Sequence, residues 1–106
     1  MSIPYAKQRI IKDIASGDKR IQVTGYVKKR VNENQIILDD KTGVISVNLM
    51  SIDNFRFKEN DLINIIGDFE INSTGEKVIK ADIIQDMNKL NFEYYQKIYH
   101  IKKELN

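Results

Sequence analysis

The sequence predicts a mainly β fold: a five-stranded barrel, a long C-terminal α-helix, and a short helix or turn at the N-terminus. Three observations carry this. Between residues 19 and 86, apolar and polar residues alternate in strand-length segments, with turn signals every 8–12 residues or so. Two of these segments hold a glycine at mid-strand, Gly25 and Gly67, the device that bends a strand around a barrel. From residue 88 the apolar period becomes helical. The expected division is a barrel with its N-terminal extension over 1–87 and a helix over 88–106.

The segment YAKQRIIKDIA, 5–15, reads as a short helix or turn with Ile10, Ile11 and Ile14 inward and Gly17 ending it. KRIQVTGYVKKRV, 19–31, is the first strand, in which Ile21 and Val23 alternate with Gln22 and Thr24. Strand two, 34–40, and strand three, 44–50, are joined by the turn DDKTG. Ile45, Val47 and Leu49 form one face of strand three; Ser46, Asn48 and Met50 form the other. An irregular stretch, 51–60, leads to strand four, 61–71, with Ile63, Ile65 and Phe69 in phase. The turn NSTGEK, with Gly75 suited to a left-handed residue, leads to strand five, 77–86.

At 106 residues the chain supports one core, and 42% hydrophobic with 30% charged residues is an ordinary globular composition. No cysteine is present, which removes disulfides and thiolate chemistry. No apolar run approaches the roughly 20 residues that span a bilayer, and the N-terminus has no signal-peptide core, so the expectation is no membrane and a cytoplasmic or nuclear setting. Net charge is +2, unevenly spread: residues 1–30 carry eight Lys/Arg against two Asp, and residues 31–87 carry five against eleven acidic residues. A basic first third is either a surface for an anionic partner or a solvated face.

The barrel reading, with IQVTGYV, IILDDKTGVISVNL and KENDLINIIGDFE in succession, resembles the OB-fold, a Greek-key barrel that binds oligonucleotides. The stretch KVIKADIIQDMNKLNFEYYQKIYHIKKEL is similar to the last strand and C-terminal helix of the middle subunit of replication protein A, where Asp-Met-Asn, here Asp86, Met87 and Asn88, leads into a long helix. The Stn1 protein of the telomere-capping complex and small archaeal replication protein A subunits share this build. The resemblance covers residues 18–105 and implies a subunit of a single-stranded DNA-binding complex in replication or repair, whose helix builds the subunit interface. The chain departs from it in having no tryptophan for base stacking.

Two sets of residues follow. In the tail, Leu90, Tyr94, Ile98, Ile101 and Leu105 are spaced close to the coiled-coil period, and Tyr95 and Tyr99 widen the stripe. With Asp86, Asn88 or Asn91 as cap, the helix is expected to be a rod of about 27 Å that both covers the barrel and joins other OB-fold subunits in a hetero-oligomer. For single-stranded nucleic acid, which needs cations and aromatic platforms, the candidates are Tyr26, Lys28, Lys29, Arg30, Phe55, Arg56 and Lys77. The acidic residues bordering the same strands predict weak binding by the chain alone. An RNA- or tRNA-binding module and a structural adaptor of a polymerase or telomere-type complex are the alternatives. Catalysis, a metal, a cofactor and a small-molecule substrate are not expected. His100 is the only histidine, Asp39 and Asp40 read as turn caps, and no phosphate-binding glycine loop or nucleophile elbow occurs.

Overall fold

A computed structural model describes residues 6–105. The strands are β1 (Lys7–Gln8), β2 (Arg20–Asn32), β3 (Gln35–Asp39), β4 (Val44–Asn48), β5 (Leu62–Ile71) and β6 (Lys77–Asp86), followed by α1 (Phe92–Leu105). A single 3-10 turn, Ile11–Asp13, follows β1. The order β2–β3–β4–β6–β5 closes on itself because β5 also pairs with β2. Only the β4–β6 contact in that ring is parallel. This is the closed five-stranded mixed barrel of an OB-fold.

β2 is long, at 13 residues, because it serves two neighbours. Arg20–Tyr26 pair with β5, and Tyr26–Asn32 pair with β3. At the change of partner stands Gly25, where a Cβ would come within 2.9 Å of the Asp39 carbonyl oxygen. The register shifts of β2 fall further on, at Lys28 and Val31, rather than at the glycine. The second mid-strand glycine does sit at a bulge. Gly67 adjoins the point where Asp82 is left over in the β5–β6 ladder, and a Cβ there would lie 2.1 Å from the Lys80 carbonyl oxygen. Arg20 clamps this corner with two hydrogen bonds to Asp82 at 2.9 Å and one to Asp68 at 3.2 Å.

Alternation places Ile21, Val23, Ile45, Val47, Ile63 and Ile65 inside, each almost wholly buried. Ile14 joins this core, and Ile10 is buried as well. Of the short helix or turn expected over their segment, the turn is what forms: β1 adds in parallel to β2, with Lys7 opposite Ile21, and a single 3-10 turn follows. Tyr5, the first residue of that expected helix or turn, lies outside the described residues. Asp18 ties the segment down by accepting hydrogen bonds from the Arg9 guanidinium, at 3.1 and 3.2 Å, and from the Ala15 N–H, at 3.0 Å.

The helix is shorter than its apolar period predicts, 14 residues or about 21 Å. Asn91 caps it, its Oδ1 accepting the Tyr94 N–H at 3.0 Å. The residues before it are held elsewhere: Asn88 Oδ1 accepts the N–H of Leu62 on β5 at 2.8 Å, and the Asn88 N–H donates to Asp86 at 2.9 Å. These bonds fix the chain in a turn and postpone the helix.

Candidate nucleic-acid and assembly interfaces

The helix lies across the outside of the barrel at β2 and over the N-terminal segment. Its inner face is Phe92, Tyr95, Gln96 and Tyr99, at the 3- and 4-residue spacing of one helix side. Phe92 meets Tyr26 edge-on, with ring centroids 5.1 Å apart. Tyr95 Oη accepts a hydrogen bond from Gln8 Nε2 at 2.7 Å, and Gln96 Nε2 donates to the Asp40 carbonyl at 2.6 Å. Tyr99, only 6% exposed, donates its hydroxyl to Asp13 Oδ2 at 2.9 Å, and Lys103 Nζ reaches the same oxygen at 2.8 Å. The electrostatics follow from these contacts. The Lys103 ammonium, with the Tyr99 hydroxyl behind it, holds the Asp13 carboxyl below the usual carboxylate range. The Arg9 guanidinium does the same for Asp18. Burial, reinforced by Asp13, pushes the Tyr99 phenol up.

Turned outward are Tyr94, Ile101 and Leu105, exposed by 62, 52 and 81%, with Ile98 half-buried between them. Leu90 lies before the helix, half-buried, where residues 86–90 line a hollow of about 480 Å³. The structure thus separates the seven residues proposed for assembly. Tyr94, Ile98, Ile101 and Leu105 lie on the outer side of the helix and Leu90 precedes it, whereas Tyr95 and Tyr99 face the chain's own N-terminal segment.

The seven residues proposed for nucleic acid do not form one patch. Tyr26 is half-buried beneath the helix, and its ring is engaged by Phe92 and by Lys41 Nζ, 5.1 Å from the centroid. Lys28 and Lys29 are exposed on the bulged part of β2. Arg30 and Phe55 are brought together: the guanidinium sits 5.2 Å from the ring centroid and donates to the carbonyls of Asn32 and Glu33 at 3.2 and 3.0 Å. Phe55 in turn packs on Phe57, centroids 5.5 Å apart, and both rest against the core. Arg56 is exposed. Lys77 stands apart, at the β5–β6 turn beside Ile37, Val44 and Glu76.

A further surface escaped the sequence reading. On the outer face of β3 and β4, between the β2–β3 and β5–β6 turns, lies a cleft of about 370 Å³. Its polar lining is Asn32, Asn34, Gln35, Ser46, Asn48, Asn72 and Glu76. In OB-folds this face and these two loops receive oligonucleotides and oligosaccharides. The available signal was the run of asparagines at strand exits, which reads equally as turn chemistry.

Among the described residues, no group of three or more His, Asp or Glu side chains is placed to hold a metal ion. No helix among them is long and apolar enough to cross a membrane. Asp39 and Asp40 cap the β3–β4 hairpin, accepting the N–H groups of Lys41 and Thr42 at 2.8 and 2.9 Å. His100 is an exposed residue of α1, its ring edge-on to Tyr99.

No family model matches the sequence, and no curated protein matches it. Solved structures do. A chain of the S. pombe Stn1–Ten1 complex is similar over 99% of this chain and 98% of its own, with a TM-score of 0.79 at 15% identity. The telomere capping protein Ten1 from S. pombe is similar over 94% of this chain and 99% of its own, with a TM-score of 0.74 at 16% identity. A hypothetical protein from E. coli, ygiW, is similar over 78% of this chain and 92% of its own, with a TM-score of 0.63 at 15% identity. Likeness at this level of identity is likeness of fold. Together with the closed strand order and the C-terminal helix, it makes the chain an OB-fold protein.

Proposed function

We propose that the chain is a non-catalytic accessory subunit of a single-stranded DNA-binding complex of the Stn1–Ten1 and replication protein A type. In this reading it assembles with another OB-fold subunit through the outer face of α1 and adds weak single-strand contacts of its own. The observation that carries the reading is that face. Tyr94, Ile98, Ile101 and Leu105 form a stripe spaced by 4, 3 and 4 on a helix already fixed to the barrel by its opposite side. Apolar surface left in water costs about 25 cal/mol per Å², and this spacing is what a partner helix packs against. The fold likeness to a chain of the Stn1–Ten1 complex over nearly the whole length supports the same reading. For the single strand, the reading rests on the position of the β3–β4 cleft and on the exposed pair Lys28 and Lys29.

The test is the mass of the purified chain, alone and mixed with candidate OB-fold subunits. The expected result is a hetero-oligomer that the double substitution Ile101→Asp, Leu105→Asp abolishes. A chain that forms no complex, or a complex indifferent to that pair, would overturn the assembly reading. For the strand contacts, Lys28, Lys29 and Arg30 changed together to Ala are expected to flatten the salt dependence of binding. An unchanged slope would remove these residues from the interface.

A further inference from the structure

Three asparagines around the β3–β4 cleft share one local device. Oδ1 of Asn32 accepts the N–H of Asn34 at 2.8 Å, and Oδ1 of Asn48 accepts that of Met50 at 2.8 Å. Oδ1 of Asn72 accepts the N–H groups of Thr74 and Glu76 at 3.0 and 2.9 Å. A backbone N–H pairs only with an acceptor, so these bonds settle which end of each carboxamide turns to the chain. The Nδ2 groups are left as donors, and none of the three makes a bond to another described residue.

The turn itself does not require an amide. Elsewhere in the same chain aspartate makes the same bond to the residue two ahead: Asp39 to Lys41 at 2.8 Å, Asp40 to Thr42 at 2.9 Å and Asp86 to Asn88 at 2.9 Å. Aspartate and asparagine serve alike as acceptors for a nearby backbone N–H. The three aspartates stand at the β3–β4 hairpin and before α1, whereas all three asparagines line the cleft. The two residue types differ at the other end of the side chain. Aspartate would present a charged acceptor to the cleft, and asparagine presents two N–H donors.

The rest of the lining narrows the ligand. Among the described residues that line the cleft there is no Lys, no Arg and no aromatic ring, so its chemistry is neither phosphate capture nor base stacking. Besides the amides it holds one carboxylate, Glu76. Amide donors beside a carboxylate complement a lactam edge, in which a carbonyl oxygen accepts and the adjoining ring N–H donates. Guanine and thymine or uracil carry that edge; adenine and cytosine have no ring N–H to give. Building on the reading of the chain as a single-strand binder, we infer that this cleft selects keto bases. Asn32, Asn48 and Asn72 supply the donors available to base carbonyls along the cleft, and Glu76 accepts from the ring N–H.

The experiment compares the full chain with oligothymidylate, oligocytidylate, oligoadenylate and an N3-methylated oligothymidylate of one length. Affinity is read by fluorescence anisotropy, and the side-chain NH₂ signals of the three asparagines are followed by ¹⁵N NMR. Oligothymidylate is expected to bind about tenfold tighter than the other three and to shift those signals. The N3-methylated strand keeps the pyrimidine backbone flexibility and removes only the ring N–H, which isolates the proposed contact. The substitutions Asn48→Asp and Asn72→Asp keep the turn acceptor, so the melting temperature is expected to hold while the ratio between strands falls toward one. Glu76→Gln is expected to lower the same ratio. Equal affinity for all four strands, with the asparagine signals unmoved, would overturn base selection and leave the single-strand reading standing. No binding of any strand, by the chain alone or in its assembled complex, would overturn both.

Discussion

The two faces of α1 are built from different chemistry. Toward the barrel it turns Phe92, Tyr95, Gln96 and Tyr99, and three of these four make hydrogen bonds to Gln8, the Asp40 carbonyl and Asp13. Away from it stand Tyr94, Ile98, Ile101 and Leu105, a largely aliphatic set with substantial exposure. An isolated amphipathic helix would be expected to bury its aliphatic side. Here directional bonds hold the aromatic side inward, which fixes the helix in one rotation about its axis. The aliphatic stripe is thereby presented in a defined place, as an interface requires.

The sharpest way to break this comparison is to remove the inner anchor. Tyr99→Ala is expected to cost about 3 kcal/mol or more in urea unfolding, by analogy with other buried aromatic deletions. Tyr99→Phe, which keeps the ring and removes the hydroxyl, is expected to cost about 1 kcal/mol, because Asp13 keeps Lys103 as a partner. On the outer face the sign of the experiment reverses. Ile101→Asp with Leu105→Asp is expected to change stability by less than about 0.5 kcal/mol per site, since both side chains are largely exposed, and to abolish the proposed assembly. A large loss of stability from that pair would mean that the outer stripe belongs to the chain's own core.

Acidity sharpens the comparison with a smaller effect. Asp13 and Asp18 are held below their ordinary value of 3.8, by Lys103 and Arg9 respectively. Their contribution to stability is therefore present above that value and lost as pH falls through the lower, folded value. Stability is expected to stay level from neutral pH down to about 4 and to fall below it, and Asp13→Asn is expected to shallow that fall. On the alkaline side Tyr99 is raised above 10.0 by burial and Lys103 above 10.5 by Asp13. Their contribution is present below those values and lost as pH rises through the folded ones. Substitutions at Ile101 or Leu105 are expected to leave both limbs in place.

The five long strands were legible to within a few residues, because alternation in Ile21/Val23, Ile45/Val47/Leu49 and Ile63/Ile65 is a local record of which side faces the core. Gly75 likewise adopts φ of +84°, as its turn requires. What could not be read is what depends on distant partners. β1 has two residues, too few to show a period, and exists because β2 offers a free edge there. The late start of α1 depends on Asn88 finding the N–H of Leu62, 26 positions away. The apolar period picked out the stripe Tyr94, Ile98, Ile101 and Leu105, and could not say that polar bonds from residues 8, 13 and 40 would turn it outward. The cleft is a gathering of residues 32, 48 and 72, each of which alone reads as a turn.

The contacts of α1 with Gln8 and Asp13 join residues 86 to 90 positions apart, the two ends of the chain. Such a clasp closes only after the barrel has brought those ends together, since bridging so long a loop earlier would lose chain entropy with no contacts to offset it. Helix docking is then expected to be the last step of folding and the first of unfolding. Tyr99→Phe is expected to speed unfolding in stopped-flow experiments and to leave the folding rate nearly unchanged. The outer stripe of α1 is therefore expected to take its fixed place only once the rest of the molecule has folded, so a half-folded chain would not offer the proposed assembly surface to a partner.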